Sequence, residues 1–384
     1  MWRVFYGGGR VSRAPRVRSS AMEKSTNRSS GITRRGFVAA GAAVCLVTLG
    51  GSYGCGESST SSDGTKKTTK ITMLNYEDWM GEGETDSFKE KTGIEVEELP
   101  TPDGGNSAWI STLTQNKGTY DFALAGNNVA RQLQENGLLA DFDADKVANL
   151  KNVSQEFIDA YPYGIPMEQG KIGFMYNKEL LPEPPQSWKE LFEQAEDLSG
   201  KILFPSYDGD VIEAGLYALG YDINTTNIDE INEARDKVIE IKPYIKAFVD
   251  SGAPSQVIDG SAWLAVAYDY DYASAASETD NVGWVAPEEG MPGYLDGWVP
   301  LAGSENLDAV YEFMDYALEP ENYANFINTT WASWVMPSVK DLLDEQIANC
   351  VALDPEQSTN VEYANITSEV SQANAAAWQE IQNA

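Results

Sequence analysis

The segment from Ile71 to Val96, ITMLNYEDWMGEGETDSFKEKTGIEV, leaves room for few folds. Ile71 to Leu74 is a short apolar run, the sign of a strand buried in a parallel sheet. Thr85 to Lys91 can form a helix that stops at Thr92-Gly93, and Ile94-Glu95-Val96 resumes alternation. Strand, loop, helix and strand in this order build an open α/β sheet, where ligands bind beyond the carboxyl ends of the strands. The loop at that place is Asn75-Tyr76-Glu77-Asp78-Trp79, with two rings and two carboxylates. Together they suit an organic cation, because ring faces attract positive charge and carboxylates accept its N–H bonds. Packing of Tyr76 and Trp79 against the helix, with Glu77 and Asp78 solvated, accounts equally well for the same residues.

At 384 residues the chain is long enough for two lobes behind an N-terminal extension. Its net charge of −32 is unevenly spread. Residues 1–55 carry nine Lys/Arg and one acid, Glu23, which leaves 18 basic and 58 acidic side chains, a net −40, on the rest. Such a body repels nucleic acid and attracts cations. There is no histidine, which excludes Ser-His-Asp and Cys-His catalysis and any His-ligated metal. Cys45 and Cys55 lie in the extension, so Cys350 is alone in the body and reads as a small buried apolar residue. No cofactor is expected.

The extension has the plan of an export signal. Basic, unpatterned residues lead to Thr33-Arg34-Arg35-Gly36-Phe37 and then to the apolar run Val38 to Leu49. Adjacent arginines before x-Phe resemble a twin-arginine signal, and Met22 would place them at a normal distance from a start. An ordinary secretion signal or an anchoring helix is the alternative. Gly54-Cys55 resembles a lipoprotein cleavage site. Residues 1–55 are therefore expected to be a lipoprotein-type signal peptide, with Cys55 lipidated and residues 56–69 a polar tether holding the body at the membrane.

Along the body, strands are expected at Tyr120–Leu124, Ile172–Asn177, Lys201–Phe204, Trp263–Ala267 and Val282–Val285. Tyr161–Pro166 reads as extended, Ile228–Phe248 as a helix broken at Pro243, and Tyr268–Tyr272 as the end of its strand. Gly293–Pro300 looks like a return crossing between lobes, and Thr330–Pro337 like an aromatic loop.

This order of pieces resembles the bacterial spermidine/putrescine-binding proteins, the extracytoplasmic receptors of polyamine ABC transporters. The resemblance runs from about Lys70 to the C-terminus. It is carried by Asn75–Trp79, Phe88–Val96, Tyr120-Asp121, Asn136-Gly137-Leu138, Ile165-Pro166, Leu219-Gly220-Tyr221, Asn224-Thr225-Thr226, Trp284–Gly290 and Tyr294-Leu295-Asp296. It implies an α/β, two-lobe type 2 periplasmic binding protein fold with hinge crossings and a central cleft. The expected lobes are 70–166 with 297–336, and 167–296 with 337–384. The family grips polyamine amino groups with aromatic rings and carboxylates. Position by position, Tyr76, Trp79, Tyr268 and Tyr294 take ring positions, Trp334 falls near another, and Asp78, Asp210 and Asp296 take acidic ones. Tyr207 stands at a family aspartate, beside Asp208, and Asn127-Asn128 replace part of a serine-to-tyrosine stretch. The resemblance implies an exported, membrane-anchored monomer that captures polyamine, partners a membrane permease, binds no nucleic acid and is not an enzyme. The residues alone leave a sugar, another organic cation or ferric iron open as cargo in the same fold, and a glycosidase using Asp210 and Asp296 as a distant third.

Overall fold

The apolar run after Lys70 forms a strand, Lys70–Asn75 (β1), in which Ile71, Met73 and Leu74 are fully buried. The computed structural model describes residues 70–77, 79–101, 105–355 and 360–384. The export signal, the tether, Cys55 and Asp78 lie outside the described residues. β1 lies parallel between Glu95–Pro100 (β2) and Phe122–Gly126 (β3). The helix joining β1 to β2, Glu84–Thr92, buries Phe88 and ends at Gly93, as the sequence predicts.

Two long strands then carry the chain across the molecule. Ile165–Asn177 (β4) runs unbroken for 13 residues. Tyr161 to Gly164 turns rather than extends, so the crossing begins at Ile165. Strands β5 (Ile202–Pro205), β6 (Ile245–Val249), β7 (Leu264–Tyr268) and β8 (Val282–Val285) follow. Met291–Pro300 (β9) returns antiparallel to β4, and Val361–Tyr363 (β10) adds to its start. The strand order is β2-β1-β3-β9-β4-β7-β5-β6, with β8 beside β4 and β10 beside β9. The N-terminal half of β4 pairs with β9, and the C-terminal half with β7 and β8. One continuous sheet thus serves two lobes.

Each lobe has its own apolar core. In the first, Phe122, Trp298 and Phe313 are fully buried, and Trp298 stacks on Phe313 at 5.1 Å. Burial of side chains this size stabilises by ~1.5–3 kcal/mol each. In the second, Phe174, Trp188 and Phe204 pack against the helices Asp208–Leu219, Ile228–Ile241 and Ser368–Asn383, and a smaller cluster around Met175, Leu203 and Ala265 forms a further core. Val339, Leu343 and Ile347 pack in the first core, so residues 337–353 belong there and not, as the sequence reading has it, with the second lobe.

Two local expectations are corrected. The helix from Ile228 stops at Ile241, because Pro243 supports only a short 3₁₀ turn; the rest, Ile245–Val249, is β6 beside β5. After Tyr268 the chain enters the helix Asp269–Glu278 at once. Among the described residues, no helix is long and apolar enough to cross a membrane.

Candidate functional site

The strand ends and the two crossings meet around a cavity of about 520 Å³. The loop after β1 contributes Tyr76 and Trp79, the end of β3 contributes Gly126, and the helix Asn127–Glu135 that follows contributes Asn127 and Asn128. Tyr207, Asp210 and Glu213 come from the turn after β5 and the helix it enters, Tyr268 from the end of β7 and Tyr270 from the first turn of the helix that follows it. β4 adds Glu168, and β9 adds Tyr294 and Asp296. Both lobes and both crossings therefore supply its wall.

Asn75, almost fully buried, sets the β1 loop. Its Nδ2 donates to the Trp79 carbonyl (2.8 Å) and to Glu98 Oε2 (2.9 Å), and its Oδ1 accepts from the Tyr76 amide (3.0 Å). The sharp bend this imposes aims both rings inward. Trp79 meets Tyr270 edge-on at 6.0 Å, Tyr270 stacks on Tyr268 at 5.2 Å, and Tyr268 meets Tyr294 edge-on at 5.9 Å. The result is one aromatic panel. Tyr294 lies flat across Gly170 of β4, where a Cβ would stand 1.9 Å from its ring carbon, so only glycine permits that placement.

Four carboxylates line the cavity, Glu168, Asp210, Glu213 and Asp296, each at most 9 % exposed, while no Lys or Arg is among the described lining residues. Trp79 Nε1 donates to Glu168 Oε1 at 2.6 Å. Tyr268 donates its hydroxyl to Asp210 Oδ2. Burial is the main force on all four. It pushes Asp210 and Asp296 up to about 7 and Glu213 to about 8, with neighbouring acids adding to it at Glu213 and, beside Asp208, at Asp210. Glu168 is driven well above the ordinary range by burial and then by Asp296. Burial thus disfavours the charged form of all four carboxyls.

Behind the panel, Lys171 and Asp269 form a fully buried ion pair, Nζ to Oδ2 at 3.5 Å. Asp269 also accepts from Ser333 Oγ (2.6 Å), the Tyr270 amide (2.9 Å) and the Tyr294 hydroxyl (3.4 Å). Burial pushes Asp269 up and pulls Lys171 down, and each partner opposes the other's shift. This pair fixes two rings of the panel from the rear.

Of the residues expected from sequence, Tyr76, Trp79, Asn127, Asn128, Tyr207, Asp210, Tyr268, Tyr294 and Asp296 all line the cavity. Asn127 and Asn128 also tie the two lobes, Asn127 donating to the Ala364 carbonyl and Asn128 accepting from the Ile366 amide at 3.3 Å. Two expectations are corrected. Trp334 is 1 % exposed in the first core. Its neighbour Ser333 bridges to Gln169 and turns its hydroxyl to Asp269, which leaves the Trp334 ring on the core side. Asp208 is the first residue of its helix, where its side chain accepts from the adjacent Gly209 amide at 2.9 Å, and it is not among the residues of the wall. Glu168 and Glu213 are not among the residues expected from sequence, and Tyr270 is expected only as part of the Tyr268–Tyr272 cluster. Glu168 had a readable signal, standing with Gln169 and Lys171 as a polar insert between the apolar ends of a strand, and Glu213 follows Asp210 by three residues on one helix face.

Residues 85–355 match the family of bacterial extracellular solute-binding proteins. The chain belongs to that family. This solute-binding protein is 25 % identical over 307 residues to a putrescine/cadaverine-binding protein of Pseudomonas aeruginosa, covering 76 % of this chain and 86 % of the relative. It is 22 % identical over 301 residues to the spermidine/putrescine-binding periplasmic protein of Escherichia coli, covering 76 % and 86 %. Among solved structures it is similar to a putative spermidine/putrescine ABC transporter from Listeria monocytogenes, with a TM-score of 0.73, 26 % identity and coverage of 82 % of this chain and 99 % of that one. The two-lobe α/β fold is shared with that structure.

Proposed function

We propose that this protein is the extracytoplasmic receptor of an ABC transporter and captures polyamines of the spermidine/putrescine kind in the cleft, for delivery to the membrane permease. One observation carries the reading: four buried carboxylates and an aromatic panel share a wall with no basic side chain among its described residues. Rings cover the methylene chain of such a ligand and carboxylates take its ammonium groups. Each charge-assisted hydrogen bond contributes ~1.5–3 kcal/mol and each cation–π contact ~0.5–2, so two or three of each reach the ~8 kcal/mol of micromolar binding after the cost of association. The relatives named for polyamines support this cargo over a sugar. Ferric iron is less well served, because Tyr268 is already bonded to Asp210 and Asp269 to Lys171 and Ser333.

The test is Asp296→Asn, which keeps shape and removes charge. Affinity for putrescine or spermidine should fall about ten- to thirtyfold by calorimetry, with the melting temperature close to the parent's. Affinity within twofold of the parent would remove Asp296 from the site.

The basic and apolar leader, with Gly54-Cys55 behind it, supports a lipid anchor on Cys55 and a tether that holds the receptor at the membrane. Cys55→Ala should release the protein from the membrane fraction or leave the leader uncleaved. A variant processed and membrane-bound like the parent would end the lipoprotein reading.

A further inference from the structure

We propose that Glu168 and Asp296 form a paired-carboxylate subsite that selects cations bearing two or more N–H bonds on the bound nitrogen over quaternary ammonium ions. The proposal rests on the cationic cargo inferred above and sharpens its chemistry. Glu168 and Asp296 are direct partners across β4 and β9. Side chains so opposed lie on one face of the sheet, about 4.5–5.5 Å apart at Cβ, where two like charges repel. Glu168 is 1 % exposed and Asp296 9 %. Trp79 anchors Glu168 through Oε1, while Oε2 is buried with no hydrogen-bond partner. On the other side Gly126 leaves room for Asp296, since a Cβ there would stand 2.9 Å from Asp296 Oδ1.

A primary or secondary ammonium, or a guanidinium, has N–H bonds for both carboxylates at once and satisfies the orphaned Oε2. A quaternary ammonium can still use the faces of Tyr76 and Trp79, because cation–π attraction needs no hydrogen. It leaves Oε2 buried and unpaired, a penalty that corresponds to about ten- to a hundredfold in affinity. Aromatic boxes alone do not make this distinction, and the second carboxylate supplies it.

The experiment titrates putrescine and its bis(trimethylammonium) analogue into the purified protein and into Glu168→Gln, by calorimetry at pH 8. The parent should bind putrescine at least about a hundredfold more tightly than the quaternary analogue, since two nitrogens are affected. Glu168→Gln keeps the acceptor for Trp79 and should weaken putrescine about ten- to a hundredfold while moving the analogue less than about threefold, so the ratio falls by about the factor that putrescine loses. A variant that binds putrescine within twofold of the parent, or weakens both ligands equally, overturns the subsite and leaves the cargo standing. The parent's own preference needs no variant to fold, and equal binding of the two ligands overturns the proposal directly. A parent that binds neither ligand overturns the polyamine reading, and the subsite with it.

Discussion

Polyamine affinity should fall about a hundredfold or more between pH 8 and pH 5. Burial holds Asp210 and Asp296 at about 7 and Glu213 at about 8 in the empty cleft. A cation binds the ionised wall, so each carboxyl that must shed its proton costs a factor of ten per pH unit below its pKa. One such group at about 7 accounts for about a hundredfold at pH 5, and a second multiplies it. The empty protein should show the opposite sign. These folded-state values lie above the ~4 of an unfolded chain, so the protonated carboxyls contribute stability that is complete below about pH 4 and is lost as pH rises through 7 to 8. The melting temperature without ligand should therefore be higher at pH 5.5 than at pH 8, and the gain on adding spermidine larger at pH 8. Calorimetry and melting across pH 5 to 8 test both. A flat affinity profile would mean that the wall carboxylates do not meet the ligand's charge.

Lys171→Met should destabilise the folded protein by about 3 kcal/mol, a drop of roughly 6–12 °C in melting temperature. Lys171 and Asp269 are both essentially without solvent contact. Removing one partner strands the other charge, which costs more than the pair contributes. The stranded Asp269 would keep its bonds from Ser333, Tyr270 and Tyr294, or take up a proton, and either change loosens the rear of the panel. The double variant Lys171→Met/Asp269→Asn should recover much of the loss, because no buried charge remains. A single variant that melts within 2 °C of the parent would show that the pair is dispensable.

The sequence was most informative where chemistry and local pattern coincide. An apolar run followed by Asn-Tyr-Glu-Asp-Trp marks a strand end with a ligand loop, because the period of the run and the residues after it are local facts. Tyr268 and Asp210 follow the same logic at β7 and β5, and Tyr294-Leu295-Asp296 is marked by the return crossing. Glu168 was harder. Its burial and its pairing with Asp296 depend on the register of β4 against β9, more than a hundred residues away in sequence. Lys171 likewise meets Asp269 only when β4 passes behind the helix that follows β7. Trp334 shows the converse: an aromatic loop near the site carries one ring into the core, because hydrogen bonding by its neighbour Ser333 sets its direction.

The most direct test is calorimetry on the purified receptor at pH 8 with putrescine, spermidine, maltose and ferric citrate. A cleft built for polyamines predicts saturable one-site heat with putrescine or spermidine, at about micromolar affinity, and none with maltose or ferric citrate. Saturable binding of maltose or ferric citrate, with no heat from either amine, would contradict it.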